Sequence, residues 1–548
     1  MKKCIMIIIA LIYSFLGVQM LLADTTPNHF KFINQKNVAL STPIISNTIT
    51  VSGIDAAAPI SIAGGEYKIN SGSYTGASGT VNNTDTVTLQ VMSAASFSTT
   101  TLATLTIGGV SGTFSVKTLP ADTKPDKFTF IAQTNVDLST LVTSNAITVS
   151  GINTESPISI VGGTYSINSG PYTSAPDTVE NGDTVTLQQT SAGIYNKKTT
   201  ATLTIGKVKG AFSVTTLRLT KADLTGTWRI NVLRTGSNTK WMRGLFSIDS
   251  SGVATCLSLS DSGGGTTCPS PFDLKFTMNS ATGVITQSGH NAANTGNHMM
   301  MTSNKNFMAG TSTTGKSPNY SYQLAIMQKD TGASYSADDV RSKSFVAHAL
   351  HTGEAQYQGW EYDAATTDAA GLVTLISGYD SSSSGGPVTP GVTTITLSVD
   401  SNGVVTMSGR PYYHGFLSDD KKTIVATDNS AGGSVDSLSI IQITGRSDYT
   451  ADALFGTWYA HMLTTTPSWI HFTAAVAGDG VISFSHWVSS DTKNPAPTTT
   501  KTFTISSSGT VTIADEPSFH GQMSDDGKFM VVTQTLGSSG SALSVYTR

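Results

Sequence analysis

The sequence predicts an all-β protein with several domains, and three observations support this prediction. The chain has 548 residues, which is too long for one hydrophobic core. Charged residues make up only 12% of it, which is well below the share in most soluble domains. Short runs of β-branched residues alternate with Gly and Asn turns along almost the whole chain, and this pattern is typical of strands rather than helices.

The N-terminal segment, residues 1–23, has the pattern of a secretion signal. Two lysines precede an apolar run from Ile5 to Leu22, and the small residue Ala23 precedes the expected cleavage point. The alternative is an uncleaved anchor, because the run approaches the length of a membrane span. No later segment is apolar enough to span. We therefore expect an exported protein, extracellular, at the cell surface or in the periplasm, without a transmembrane segment after signal cleavage.

The net charge argues against one class of partner. It is −4 for the whole chain, and removing the two lysines of the signal segment gives −6. Proteins that bind nucleic acids need basic patches to neutralise phosphates, and this chain has no basic block. We expect no nucleic-acid partner, which leaves an extracellular glycan or a surface protein as the candidate.

Cys256 and Cys268 are the two cysteines that the chain keeps after signal cleavage. In an oxidising compartment such a pair predicts one disulfide. The residues between them are strand-like and then Gly-rich, so the bond would pin a hairpin. A two-cysteine metal site is the alternative, but no C-x-x-C lies nearby to support it.

A duplicated unit fills the first part of the chain. The segment Ile49–Thr75 returns as Ile147–Thr173, and the offset of 98 residues (147 − 49) persists through both copies. Each copy has about seven short strand segments separated by turns, which predicts a β-sandwich. We therefore place two domains at 24–119 and 120–217.

The two copies resemble a known repeat type. Both carry the segments SGI, PISI, DTVTLQ and ATLTIG in the same order. These segments resemble those of the bacterial Ig-like repeats that decorate exported and cell-surface proteins. The resemblance covers residues 28–217 and implies Ig-like sandwiches that act as spacer or adhesive modules. It implies no chemistry.

A longer unit is repeated three times in the C-terminal region, residues 220–548. The repeats span 224–330, 338–445 and 452–548, and each contains a histidine followed by an S-D-D-G-K-like turn. The ungapped alignment of these turns places three histidines at one position: His298, His414 and His520.

Two architectures fit this triplicated region. Each repeat shows about eight strand segments in two similar groups of four, and groups of this size are typical of propeller blades. Three double-blade repeats therefore predict a β-propeller-like domain with six blades. The alternative is three tandem eight-stranded β-barrels, because the GTW segments at Gly226 and Gly456 are similar to the first strand of lipocalin-like and avidin-like barrels.

The three equivalent histidines are the candidate metal ligands. If the repeats close into a ring, His298, His414 and His520 lie around one axis, where three imidazoles could bind Zn²⁺ or another transition metal. The alternative is that each histidine bonds the backbone within its own repeat. No other cofactor is expected.

Trp487 and His486 are candidate ligand-binding residues. All six tryptophans lie in the C-terminal region, and Trp487 is the least core-like of them because it stands beside a histidine and a polar insertion. Aromatic faces can stack on ligand rings, whereas core packing is the alternative role. The Asp pairs of the S-D-D-G-K turns lack the spacing of a calcium loop, and turn formation explains them.

No catalytic motif is present. The sequence has no G-x-S-x-G elbow, phosphate-binding loop, dinucleotide fingerprint or H-E-x-x-H pair. We therefore predict an exported, non-catalytic binding or adhesion protein whose Ig-like modules form a spacer and whose C-terminal region is the recognition head. The alternative is a propeller-type hydrolase or lyase that acts on extracellular polysaccharide.

Overall fold

The computed structural model describes residues 23–289, 295–381, 387–430, 434–491, 496–537 and 540–548. The predicted signal segment, except for its last residue, lies outside these ranges. Strands form nearly all of the regular structure of the described residues, so the predicted all-β class is confirmed. No helix within these ranges is both long enough and apolar enough to cross a membrane.

The duplicated unit forms two β-sandwiches of the same topology. In each, a five-stranded and a four-stranded sheet enclose one apolar core. The strands of the first sandwich are β1 Gln35–Val38, β2 Pro43–Ile45, β3 Ile49–Thr50, β4 Ala58–Ala63, β5 Glu66–Ile69, β6 Gly79–Val81, β7 Thr86–Met92, β8 Thr100–Ile107 and β9 Val110–Thr118. The strands of the second are β10 Gln133–Val136, β11 Leu141–Thr143, β12 Ile147–Thr148, β13 Ser156–Val161, β14 Thr164–Ile167, β15 Asp177–Val179, β16 Thr184–Thr190, β17 Lys198–Ile205 and β18 Val208–Thr216.

The sheet orders confirm the Ig-like sandwich for both copies. The first copy has the orders β1-β9-β8-β4-β6 and β2-β7-β3, with β5 also on β7, and the second copy repeats these orders. The alternation of buried and exposed residues follows from strand geometry, because successive side chains point to opposite faces. Along β8, for example, Ala103, Leu105 and Ile107 are buried and the residues between them are not.

The triplicated region forms three barrels of antiparallel strands. Barrel 1 contains β19 Gly226–Gly236, β20 Lys240–Ile248, β21 Ala254–Asp261, β22 Lys275–Met278, β23 Ile285–Ser288, β24 Thr295–Met301, β25 Phe307–Lys316 and β26 Asn319–Asp330. Barrel 2 contains β27 Ser344–Gly353, β28 Gly359–Thr367, β29 Leu372–Asp380, β30 Pro387–Val388, β31 Gly391–Val399, β32 Val404–Met407, β33 Arg410–Leu417, β34 Thr423–Ser430 and β35 Val435–Thr444. Barrel 3 contains β36 Gly456–Thr464, β37 Ser468–Val476, β38 Val481–Ser489, β39 Lys501–Ile505, β40 Thr510–Ile513, β41 His520–Met523, β42 Phe529–Leu536 and β43 Gly540–Thr547.

The prediction of six propeller blades is therefore wrong, and the alternative of eight-stranded barrels is confirmed in part: the sheets of the second and third repeats close, and the sheet of the first repeat curls without full closure. Within each repeat the first strand pairs with the last: β19 with β26, β27 with β35 and β36 with β43. Barrel 3 is closed, and barrel 2 closes through the pairing of β28 with β29 and β29 with β31. Barrel 1 is a curled sheet whose edge strands meet at one bridge, Val253–Lys275. A propeller would separate each repeat into two sheets, whereas here the strands of each repeat form one continuous sheet.

The GTW segments close one end of a barrel rather than open a blade. The indole of Trp458 donates a hydrogen bond of 2.8 Å to the carbonyl of Leu454, in the 3₁₀ helix Ala451–Leu454. The guanidinium of Arg548 lies over its ring at 4.6 Å. Trp228 makes the same bond to Leu224, in the 3₁₀ helix Lys221–Leu224, at 2.7 Å. Barrels 1 and 3 are thus plugged at the end where their first strand begins. Two further 3₁₀ helices of the described residues are Ala337–Asp339 and Ala355–Tyr357.

Several strands are apolar on both faces because the barrels share a second core. On β36 the inward residues Ala460 and Met462 belong to the interior of barrel 3, and the outward Leu463 belongs to a cluster that all three barrels build. Barrel 1 contributes Leu324 to this shared core and barrel 2 contributes Leu438. Full burial of one such side chain stabilises a fold by about 1.5–3 kcal/mol, so the outer faces hold the three barrels as one head.

The barrels pack head to tail around this core. The first interface joins β19 and β20 of barrel 1 to β34 and β35 of barrel 2, and the second joins β27 and β28 of barrel 2 to β42 and β43 of barrel 3. The third joins β36 and β37 of barrel 3 to β25 and β26 of barrel 1. Since equivalent strands make equivalent contacts, the ring has a pseudo-threefold axis.

The second sandwich docks on the plugged ends of the head. Asp137 forms an ion pair of 2.6 Å with Lys528, and Ser139 accepts a hydrogen bond of 2.6 Å from Thr457. The junction between sandwich and head is buried, since Leu219 is fully inaccessible and packs in the core of barrel 1. The sandwich therefore holds the head in a fixed orientation.

Candidate functional site

The predicted histidines lie in three different interfaces. At the third interface, His298 of barrel 1 meets His461 and His471 of barrel 3. Its Nδ1 lies 2.8 Å from Nε2 of His461, and its ring stacks on His471 with 4.0 Å between centroids. Trp469 stacks on His471 as well, at 5.1 Å.

Electrostatics keep this histidine cluster neutral. Burial lowers the pKa of His298 to about 4. Burial, with the nearby His298, lowers the pKa of His471 to about 3 and that of His461 well below its ordinary value. Neutral imidazoles can form a hydrogen bond in which one ring nitrogen donates and the other accepts, as between His298 and His461. They can also stack without charge repulsion.

His520 of barrel 3 occupies the same position at the second interface. Its ring stacks on Tyr362 at 5.0 Å and on Tyr379 at 4.6 Å, and it lies 5.2 Å from Trp360. The neighbouring His348 has a hydrogen bond of 3.2 Å to Thr533. Aromatic packing therefore fills this interface.

His414 of barrel 2 lies at the first interface and is partly exposed. Its Nδ1 is 3.2 Å from the carbonyl of Tyr412, so it bonds backbone within its own repeat. Burial lowers its pKa, and the positive charge of Arg243 in barrel 1 lowers it further.

The structure thus does not bring His298, His414 and His520 to one point. Each of these histidines contacts residues at other repeat positions in the neighbouring barrel. This follows from head-to-tail packing, in which one face of a barrel contacts a different face of the next barrel. Within the part of the chain that the structure describes, no group of three or more His, Cys, Asp or Glu side chains is placed to hold a metal ion.

The S-D-D-G-K turns lie beside one another near the axis. Asn304 donates a hydrogen bond of 2.6 Å to Asp526, and Lys422 forms an ion pair of 3.0 Å with Asp525. Within its own turn, Asp526 accepts a hydrogen bond from Ser524. These carboxylates therefore close turns and join barrels, which agrees with their interpretation as turn residues.

A cavity of ≈ 600 Å³ lies inside barrel 3. It opens at the end of the barrel where β36 finishes. From Trp458 at the plug to Thr464 at the mouth the strand advances six residues, or about 20 Å. The mouth therefore faces away from the docked sandwich.

Aromatic and aliphatic side chains form about half of the cavity wall. Trp487 stacks on Phe472 with 4.6 Å between centroids and meets Phe484 edge-on at 6.0 Å. Ile470 and Phe503 are further apolar residues of the cavity wall. Trp487 is thus a cavity residue as well as a core contact.

The wall of the cavity also contains polar groups. Lys501 and Glu516 form an ion pair of 2.8 Å in the wall, and Gln534 and Thr464 are nearer the mouth. Such a wall can hold an apolar ring and fix a hydrogen-bonding group beside it. His486 is exposed, has a left-handed backbone with φ of 51°, and does not line the cavity.

The equivalent interior of barrel 2 is acidic instead. Where barrel 3 has Ile470 and Phe472, barrel 2 has Glu361 and Asp363, which also point inward. His351 lies 3.3 Å from Glu361. The sequence analysis predicts neither interior. The alternation of residues along β28 and β37 could have indicated them, because the outward residues of the two strands are nearly alike and the inward residues differ.

The predicted disulfide is confirmed. Cys256 on β21 bonds to Cys268, with 5.8 Å between the Cα atoms. The bond ties β21 to the segment before β22, at the seam that the bridge Val253–Lys275 joins.

Comparison with known proteins yields no family. No protein-family model matches the sequence, and no curated protein is similar to it. Among solved structures, the D0-D1 domain of intimin is 12% identical, with 35% of this chain and 98% of that chain covered and a TM-score of 0.13. Transferrin binding protein B from Neisseria meningitidis is 10% identical over 71% and 84%, with a TM-score of 0.18.

The surface layer protein SbsC, domains 4–9, is a third such structure. It is 11% identical over 84% of this chain and 70% of that chain, with a TM-score of 0.15. All these TM-scores are far below 0.5, so the likenesses carry no argument about this chain.

Proposed function

We propose that this protein is an exported, non-catalytic binding protein at the cell surface or outside the cell. The Ig-like units, residues 24–119 and 120–217, act as the spacer, and residues 220–548 form the recognition head. The disulfide supports export, because such bonds persist in oxidising compartments. The fixed docking of the second sandwich supports the spacer role.

The cavity of barrel 3 is the recognition site in this proposal, and its volume is the observation that carries it. Cavities of about 300–1,000 Å³ with apolar walls and a few polar groups are the usual form of small-ligand sites. Trp487, Phe472 and Phe484 supply flat apolar faces, and Lys501 with Glu516 supplies charge. The ligand class is therefore an amphiphilic molecule with a ring or aromatic body and one hydrogen-bonding end.

Titration of the full chain with N-phenyl-1-naphthylamine tests this site, because this probe fluoresces when it enters an apolar cavity. The wild type should saturate with one probe per chain. Trp487→Ala should bind about two- to tenfold more weakly, since it removes a stacking face worth about 0.5–1.5 kcal/mol.

His486→Asn is the matched control, because the neighbouring side chain points away from the cavity and Asn tolerates a left-handed backbone. It should bind as the wild type does. Equal binding by the wild type and Trp487→Ala would overturn the assignment of the cavity.

A second candidate function is acid–base catalysis in barrel 2, and the acidic interior favours it. Burial, together with the charges of Glu361 and Asp380, raises the pKa of Asp363 to about 7. Although burial opposes it, the hydrogen bond and charge of His351 lower the pKa of Glu361. A protonated and an ionised carboxyl in one site are what glycoside hydrolysis requires.

A hydrolysis screen on extracellular polysaccharides separates the two functions. Catalysis predicts turnover by the wild type and its loss in Asp363→Asn. No turnover of any polysaccharide by the folded wild type would remove this candidate and leave the binding function.

A further inference from the structure

The first interface differs from the other two in its polar groups. Arg243 of barrel 1 stands where barrels 2 and 3 have Tyr362 and His471. Asn231 lies directly opposite it on the neighbouring strand, where the other barrels have His348 and His461. The second and third interfaces fill these positions with stacked rings, and the first does not.

Among the described residues, no carboxylate forms an ion pair with Arg243. Its guanidinium lies over the ring of Trp241 at 4.8 Å, and its Nη1 is buried without a hydrogen-bond partner. Burial lowers its pKa to about 10, and no carboxylate opposes this change. A desolvated cation is costly unless an anion pairs with it.

The neighbouring buried polar groups have no hydrogen-bond partners among the described residues. Trp241 is 4% exposed, and its indole nitrogen has no partner, whereas the equivalent Trp360 and Trp469 donate to Thr535 and Thr313 at 2.9 and 2.8 Å. Asn231 is fully buried, and neither atom of its amide is bonded.

Two groups of barrel 2 complete the surroundings. The Thr427 hydroxyl is fully buried and unpartnered, and it lies opposite His414 on the next strand. Arg243 and His414 are the partly exposed members, so a solute would enter between them. A buried polar group without a partner costs about 1–3 kcal/mol, and here several such groups surround one positive charge.

We propose that the first interface is an anion site that binds a small carboxylate. The planar guanidinium of Arg243 can donate two parallel hydrogen bonds to it, and the indole of Trp241 and the amide of Asn231 can donate further ones. The carboxylate supplies the missing charge and acceptors. This site is separate from the cavity of barrel 3, so either one can fail without the other.

Titration of the full chain with sodium acetate tests the site, with sodium chloride exchanged to keep the ionic strength constant. The readout is the indole N–H resonance of Trp241 in ¹H–¹⁵N spectra. It should move and saturate, and the unfolding midpoint should rise with acetate because the ligand binds only the folded head.

Arg243→Tyr is the test variant, because barrel 2 has Tyr362 at this position and the variant is therefore expected to fold. It should lose the saturable shift and bind acetate at least about tenfold more weakly. Lys275→Met, which removes an exposed cation of the same barrel, should respond as the wild type does. Asn231→His, which places the residue of the other two barrels here, should also weaken binding.

Three results would overturn the proposal. The first is a Trp241 resonance that does not respond to acetate. The second is the same acetate response in Arg243→Tyr as in the wild type. The third is an equal response when chloride replaces acetate, because it would show no preference for a carboxylate.

Discussion

Barrels 2 and 3 have alike outer faces and unlike interiors. On the outside both place a tryptophan, Trp360 or Trp469, whose indole donates to a threonine of the next barrel. On the inside, barrel 2 has Glu361 and Asp363 where barrel 3 has Ile470 and Phe472. Because side chains alternate along a strand, the two faces can differ independently. The outer face thus specifies assembly, and the inner face specifies what the barrel can bind.

The largest expected effect comes from a charge in the shared core. Leu463→Asp places a carboxylate among apolar residues of all three barrels, and a buried unpaired charge costs more than about 4 kcal/mol. All three barrels should unfold together, measured by circular dichroism and urea denaturation. Val488→Asp, on an exposed outward side chain of barrel 3, is the control. Loss of barrel 3 alone would show that the barrels fold independently.

The second-largest effect is expected from acid, which should weaken the third interface. His298 and His471 are neutral in the folded head, with pKa values lowered to about 4 and about 3, whereas unfolded histidine has a pKa of about 6.5. The unfolded chain therefore binds more protons, so stability is fully present above about pH 6.5 and is lost as the pH falls toward 4.

His471→Tyr sharpens this prediction, because Tyr362 at the equivalent position already stacks on His520. The slope of unfolding free energy against pH should fall by up to about 1.4 kcal/mol per pH unit between pH 6.5 and 4. Urea denaturation at several pH values measures it. An unchanged slope would contradict the neutral histidine cluster.

Removing the disulfide should have a smaller effect. Cys256 and Cys268 enclose a loop with a sequence separation of 12, for which loop closure contributes just under about 3 kcal/mol. The double variant to serine should destabilise barrel 1 by that amount or less. Because the described residues of barrel 1 show a single bridge across its seam, Val253–Lys275, amide exchange should increase in β21 and β22 and stay unchanged in barrel 3. Uniform exchange across the head would contradict a local role.

The smallest effect is expected at the contact between sandwich and head. The ion pair of Asp137 with Lys528 is partly exposed, and such pairs contribute about 1 kcal/mol or less. A double-mutant cycle with both alanine variants should give a coupling of this size that decreases with salt. A coupling of several kcal/mol would mean that this pair, rather than the buried junction at Leu219, holds the sandwich.

Local features of this fold could be predicted from the sequence, but the closing of the sheets into barrels could not. Strand alternation, the offset of 98 residues (147 − 49) and the cysteine pair are local patterns, and they gave the sandwiches and the disulfide. Whether eight strands form one barrel or two blades depends on the pairing of β36 with β43, which joins residues far apart in the chain. The strand–turn–strand pattern is the same in both cases.

The candidate sites also differ in how far the sequence could predict them. Trp487 could be singled out because a histidine and a polar insertion stand beside it in the sequence. The cavity could not, because its volume depends on inward side chains from many strands. Equivalent histidines were correctly aligned, but repeat equivalence does not show that His298 meets His461 and His471 rather than His414 and His520. That contact follows from the head-to-tail packing of closed barrels.

Fluorine NMR of the full chain labelled with 5-fluorotryptophan tests the division between inner and outer faces most directly. The chain has six tryptophans, and N-phenyl-1-naphthylamine is added to saturation. We expect the resonance of Trp487 to move and those of the outer Trp241, Trp360 and Trp469 to stay in place. Movement of the outer tryptophans with Trp487 unchanged would contradict this division, because the probe would then bind between the barrels rather than inside one.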